Sequence, residues 1–241
     1  MPSTASPATP PRLDRLDGDP TAHARLALLY QLLETELGGV QVYRTALQCA
    51  LEPALKREWA RYLAQTERHV VIARDLLQKL GLDPDAEVPA RLLCRHDAEA
   101  LVRLMLEALA AGTPADAQLC AAECVLKAET KDHQNWSLLG HLARSIEGVG
   151  GDAMRTAYVE VESEEDHHVY HSKGWARELW AQALGLPAVL PPPEEQRDVE
   201  SAMEAALAEE ARDALTGAPP PDAAPAAKAA NGAGGTREGS R

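Results

Sequence analysis

From residue 21 onward, apolar residues recur every three or four positions along four long stretches, the period of helices that each bury one face. In residues 21–50 the stripe runs through Leu26, Leu29, Leu32, Leu33, Glu36, Val40, Tyr43 and Leu47, and Glu34 points away from it. Gly38-Gly39 weakens this helix in isolation, so a neighbour has to pack closely there. Residues 53–80 open with Pro53, acceptable in a first turn, and carry Trp59, Tyr62, Leu63, Thr66, His69, Ala73 and Leu77 on one side, with Gly81 as the stop. Residues 115–146 align Leu119, Ala122, Leu126, Glu129, His133 and Gly140. After a connection expected over Gly148–Gly151, the last long stretch aligns Met154, Ala157, Val161, Glu165, His168, Ser172, Trp175 and Leu179 and ends near Gly185. Residues 81–114, with Pro and Gly at their margins, predict a crossover containing a short helix after Asp97. The expected fold class is all-α: two helix pairs joined by a long crossover between helices 2 and 3.

The two ends differ in composition from this middle. Residues 1–20 are rich in Pro, Ser, Thr and Ala and read as a disordered arm. Residues 188–241 read as a Pro/Ala-rich extension with a short helix near 198–215, whose apolar side (Val199, Met203, Ala206, Leu207) would dock on a bundle or a neighbouring subunit. One domain over residues 21–187 is expected, in a homo-oligomer. A net charge of −13 makes nucleic acid and anionic membranes unsuitable partners and suits cations. No run is long and apolar enough to span a bilayer, and the first residues lack the apolar core of a signal peptide, so the expected location is the cytoplasm. Cys49, Cys94, Cys120 and Cys124 form no Cys-x-x-Cys pair and read as reduced, buried thiols.

The chemistry lies in the polar residues set into those apolar stripes. A buried carboxylate or imidazole is costly unless it pairs or binds a metal, and Glu165-x-x-His168 places one of each a turn apart on one face. Glu36 has no Lys or Arg three or four positions away. If the first two helices turn near residues 51 and 52, Glu36 lies level with Thr66 and Glu67; if the last two turn near 150, His133 lies opposite residue 167 and Glu129 opposite 171. The candidate metal ligands are Glu36, Glu67, His69, Glu129, His133, Glu165 and His168, with Glu123 competing with Glu129 and with Glu67, His69 or both supplied by the second helix. His171 is marginal and His167 projects to the surface. The halves echo each other: Glu36 precedes Tyr43 by seven residues and Glu129 precedes Trp136 by seven, and each such helix is followed by one with an inward histidine, His69 or His168.

With these residues the chain resembles the ferritin-like superfamily of dimetal-carboxylate proteins, which includes ferritins, rubrerythrins and manganese catalases and carries one Glu on each of two helices and Glu-x-x-His on each of the other two. The resemblance covers roughly residues 21–185. It casts Glu36 and Glu129 as the single carboxylates and Glu165 with His168 as one Glu-x-x-His; the other is broken, because Thr66 stands three before His69. It implies a ferritin-like four-helix bundle holding two iron or manganese ions, with zinc as the alternative, and a metal-dependent oxidoreductase that acts on dioxygen or peroxide or oxidises ferrous iron. Peroxide or oxidase chemistry is preferred over storage because the Pro-rich extension complicates a closed cage. The competing reading is a non-enzymatic scaffold with a degenerate site, motivated by Thr66.

Overall fold

The computed structural model describes residues 20–217. The arm expected over residues 1–20 and the final low-complexity segment from 218 lie outside the described residues, except that Pro20 opens the first helix. Among the described residues there are seven helices and no strand: α1 (Pro20–Cys49), α2 (Pro53–Lys79), α3 (Pro89–Ala111), α4 (Pro114–Ser145), α5 (Val149–Ala183), α6 (Pro193–Arg197) and α7 (Ala202–Thr216). None is long and apolar enough to cross a membrane.

Local chemistry sets the ends of these helices. Pro53, Pro89 and Pro114 occupy first turns, where a missing N–H costs nothing. Thr113 and Asp116 form a reciprocal capping box at the start of α4. Gly81 (φ 74°) closes α2 with its own N–H on Gln78 and that of Leu82 on Leu77. Only Gly148 of the expected Gly148–Gly151 connection lies outside helix; Val149 already begins α5.

α1 packs on α2, α3 and α4, and α5 packs on α4 and α2. Two apolar clusters result. One gathers Tyr43, Leu55, Trp59, Tyr62, Val125 and Trp175; the other gathers Tyr30, Leu32, Leu33, Leu76, Leu77, Trp136 and Val161. The polar residues of interest lie where these clusters meet.

The segment between α2 and α4 differs from expectation. It holds one 23-residue helix rather than a short one after Asp97. α3 starts at Pro89 and meets no breaker before Gly112, and it packs on the side of α1 that the apolar stripe leaves free. There Glu34 is buried, with Arg91 Nε 2.5 Å and Arg95 Nε 2.8 Å from its carboxylate. Gly38 is what lets α3 approach: a Cβ at Gly38 would stand 2.5 Å from that of Ala98.

At the other end, α6 and α7 fold back on α5 of the same chain. Arg177 forks onto Glu194 (2.7 and 3.0 Å), and Arg212 reaches Glu178 at 2.9 Å. Of the apolar side expected for the tail helix, Val199 is buried, while Met203 and Leu207 are exposed.

Candidate metal centre

Four helices each contribute to one buried polar cluster: Glu36 from α1, His69 from α2, Glu129 and Asp132 from α4, and Glu165 with His168 from α5. None is more than 4% exposed. Their donor atoms form two groups of three, Glu36–His69–Glu165 and Glu129–Glu165–His168, and Glu165 belongs to both. His69 Nδ1 lies 3.5 Å from Glu36 Oε1 and 3.1 Å from Glu165 Oε1; His168 Nδ1 lies 3.3 Å from Glu129 Oε2 and 3.5 Å from Glu165 Oε1.

These separations match the edges of a coordination polyhedron. Ligands about 2.1 Å from a common ion stand about 3.0 Å apart in octahedral and about 3.4 Å apart in tetrahedral geometry. They do not close hydrogen bonds. Glu36 Oε2, Tyr43 Oη, His69 Nδ1, Glu129 Oε2, Asp132 Oδ1, both Glu165 oxygens and His168 Nδ1 are all buried without a hydrogen-bond partner. Native interiors leave few such atoms unpaired, and a cluster of them in one place could hold a cation.

The outward sides of the same residues are satisfied. His69 donates from Nε2 to Glu164 Oε2 (2.8 Å), and His168 donates from Nε2 to Gln65 Oε1 (3.0 Å). With Nε2 so engaged, each ring turns Nδ1 inward, where displacing its proton would offer a lone pair to a metal, the usual support for a metal-binding imidazole. Trp136 Nε1 donates to Glu36 Oε1 at 2.7 Å. The Tyr43 hydroxyl sits beside Glu129, and burial followed by that carboxylate pushes its pKa well above the usual range.

Without a cation the cluster retains protons. Burial alone would lower the pKa of His69, but Glu36 and Glu165 outweigh it and push the value up to about 11; His168 rises to about 9 against its own burial because of Glu129 and Glu165. Burial raises Glu36 to about 7, whereas His168 and His69 overcome burial at Glu165 and hold it at about 2. Asp132 is raised well above its ordinary value by burial and then by Glu36, Glu165 and Glu129.

Five of the seven residues read as candidate ligands therefore converge: Glu36, His69, Glu129, Glu165 and His168. Glu67 does not. It is at the expected level but on the outer side of α2, about half exposed and paired with Arg44 at 2.8 Å. Of the two second-helix candidates, only His69 faces the cluster. His133 also stays at the margin, donating from Nε2 to Asp166 at 2.7 Å with part of its ring exposed. Glu123 is half exposed, with Lys127 and Trp180 as partners. His167, expected at the surface, is buried, because Glu58, Arg61 and Tyr62 of α2 and Asp198 pack against it.

Asp132, Trp136, Gln65 and Glu164 were not singled out as part of the centre by sequence reasoning. A signal existed for Asp132 and Trp136, which lie three and seven residues after Glu129 and so on its face. For Gln65 and Glu164 the signal is their place four residues before His69 and His168. Comparison of the chain with protein-family models, with curated proteins and with solved structures returned no match.

Proposed function

We propose that this chain is a ferritin-like four-helix protein, with α1, α2, α4 and α5 as the bundle and α3 in the crossover, that holds two iron or manganese ions and reacts with dioxygen or peroxide or oxidises ferrous iron. The observation that carries the reading is Glu165: both of its oxygens are buried and unpaired, and it is shared by two three-donor groups. Carboxylate and imidazole donors suit iron and manganese, with zinc as the redox-inert alternative. Glu36 and His69 would hold one ion, Glu129 and His168 the other, and Glu165 both.

When bound, a redox-active pair supplies the electrons and Lewis acidity for oxygen or peroxide chemistry. The protein's own part is positional. Glu164 and Gln65 hold the imidazoles, and Trp136 holds Glu36. Tyr43 keeps a proton at its hydroxyl beside Glu129, so a proton is available next to that half of the centre. Six cluster residues, none more than 4% exposed, exclude bulk solvent from the reacting volume.

A self-contained polar network, as the scaffold reading requires, would satisfy its own hydrogen bonds, and this one leaves eight atoms unpaired. The test is elemental analysis of untagged protein purified without chelator, followed by peroxide-consumption and ferrous-oxidation assays. Two iron or manganese ions per chain, lost in the Glu165→Ala/His168→Ala double variant, support the reading. A chain that is metal-free as purified and takes up neither ion anaerobically overturns it.

A further inference from the structure

A second mixed cluster lies beyond Tyr62, whose ring is 4.1 Å from that of His168 and 5.6 Å from that of His167. Here Glu58 of α2 meets His167 and His171, which are four residues apart on α5 and stack with ring centroids 3.6 Å apart. All three are buried. The C-terminal segment closes the cluster with Glu195 of α6 and with Asp198, a left-handed residue (φ 52°) just after it.

The donor atoms converge. His171 Nδ1 is 2.8 Å from Glu58 Oε1 and 3.2 Å from Glu195 Oε2, and His167 Nε2 is 4.0 Å from Glu58 Oε1. Arg61 Nη2 donates to His167 Nε2, which makes Nε2 the lone pair facing Glu58 and leaves the proton on Nδ1, 3.6 Å from Asp198 Oδ1. The second nitrogen of His171, Nε2, is buried without a partner, so all of that ring's polar contact is with this cluster.

Positive charge already stands at the open corner. Arg61 Nη2 is 2.5 Å from His167 Nε2 and 3.8 Å from Glu58 Oε1, on a side chain that is half exposed. The guanidinium occupies the place of a cation. Tyr62 donates to Glu58 Oε1 and Trp175 to its Oε2, and together they fix the carboxylate.

We propose that Glu58, His167, His171 and Glu195 form an additional site for a divalent transition ion, separate from the shared-carboxylate centre, with Arg61 displaced on binding and the C-terminal segment fastened to α5 through Glu195. Two imidazole nitrogens and two carboxylates make a four-coordinate set of the kind zinc takes in structural sites. The site does not depend on the function proposed for the main centre, because the two share no ligand.

The test is titration of the chelator-stripped full chain with cobalt(II), reading ions per chain and the intense visible bands of four-coordinate cobalt. Wild type should bind one more ion than the His167→Gln/His171→Gln variant, and Glu165→Gln should keep one ion with the four-coordinate spectrum. Glu195→Gln, at a partly exposed position outside the packed core, should weaken that ion at least about tenfold. Equal stoichiometry in wild type and the double-histidine variant overturns the proposal, as does a Glu165→Gln protein that binds no cobalt. Should the double-histidine variant fail to fold, unchanged cobalt affinity in Glu195→Gln overturns it. Failure of the main centre reads differently, as a cobalt count unaffected by Glu165→Gln.

Discussion

Glu165→Gln is expected to empty the main centre of both ions, whereas Glu36→Gln should empty only half of it. The substitution conserves shape and removes one charge. Because Glu165 stands 3.1 Å from His69 Nδ1 and 3.5 Å from His168 Nδ1 and belongs to both groups, each group drops from three strong donors to two. With free metal at about 100 times its dissociation constant, a bound ion stabilises the folded chain by about 2.7 kcal/mol, so the pair contributes about 5 kcal/mol. In a domain of this size 1 kcal/mol moves the melting temperature by about 2–4 °C. Manganese(II) should therefore raise the wild-type melting temperature by roughly 10–20 °C, Glu36→Gln by about half as much, and Glu165→Gln by no more than about 3 °C. The assay is thermal melting followed by helical circular dichroism with and without manganese, paired with mass-spectrometric counting of ions per chain. A Glu165→Gln protein that keeps half the wild-type shift, and still holds an ion when His167→Gln/His171→Gln is added, would refute the shared-ligand geometry.

Other expectations follow from the same contacts. In metal-free protein, Glu36 at about 7 and His168 at about 9 hold protons that the unfolded chain releases near 4.5 and 6.5, while Glu165, held at about 2, contributes stability present above about 4.5 and lost as pH falls toward 2. Stability should therefore fall as pH rises from 6.5 to 9, and the manganese-induced shift should grow because binding displaces those protons; a metal-free melting temperature that climbs across this window would contradict the assignment. Glu67→Gln should leave metal content unchanged and cost at most about 1 kcal/mol in urea unfolding, as expected for an exposed pair with Arg44; loss of an ion would return Glu67 to the site. Gly38→Ala should destabilise by about 1–3 kcal/mol by forcing α3 off α1 at Ala98, and a neutral or stabilising result in the same unfolding measurement would show that α3 yields easily. Glu164→Gln should weaken the ion held by His69 about 10–100-fold in a stepwise metal titration and spare the ion at His168; equal loss of both would rule out the one-sided support.

How far the sequence could be read depended on whether the answer lay in spacing along one helix or in contacts between helices. The four long helices were legible from their apolar period, and Glu165 and His168 from ionisable residues inside such a stripe. Level was legible too. A turn near residue 150 put His133 opposite 167, and it pairs with Asp166. Azimuth on α2 was harder, because Glu67 and His69 differ by about 200° around the helix and only packing decides which faces inward. α3 was under-read because few of its residues are buried, and its anchors are Arg91 and Arg95 on Glu34, a contact 57 or more residues long. His167 looked solvent-facing on α5 alone, and contacts with Glu58, Arg61 and Tyr62 of α2 and with Asp198 bury it.

Thr66, the gap in the second helix, acquires a physical account from the exchange between the two halves. Trp136, seven after Glu129, donates to Glu36, and Tyr43, seven after Glu36, sits beside Glu129. His69 donates to Glu164, four before His168, and His168 donates to Gln65, four before His69. Each half thus supports the other's ligands through the same positions. The exchange fails at one pair: α4 and α5 place Asp132 and Glu165 where α1 and α2 place Gly39 and Thr66. Those last two face each other, for a Cβ on Gly39 would stand 3.2 Å from Thr66 Cγ2. One half therefore carries two acids where the other carries none. The total is four carboxylates, whose charge two divalent cations would balance, and a buried centre is constrained by that total more than by which helix supplies each group. The carboxylate missing from α2 is matched by the extra one on α4, so the departure at Thr66 moves a charge within the centre without removing one.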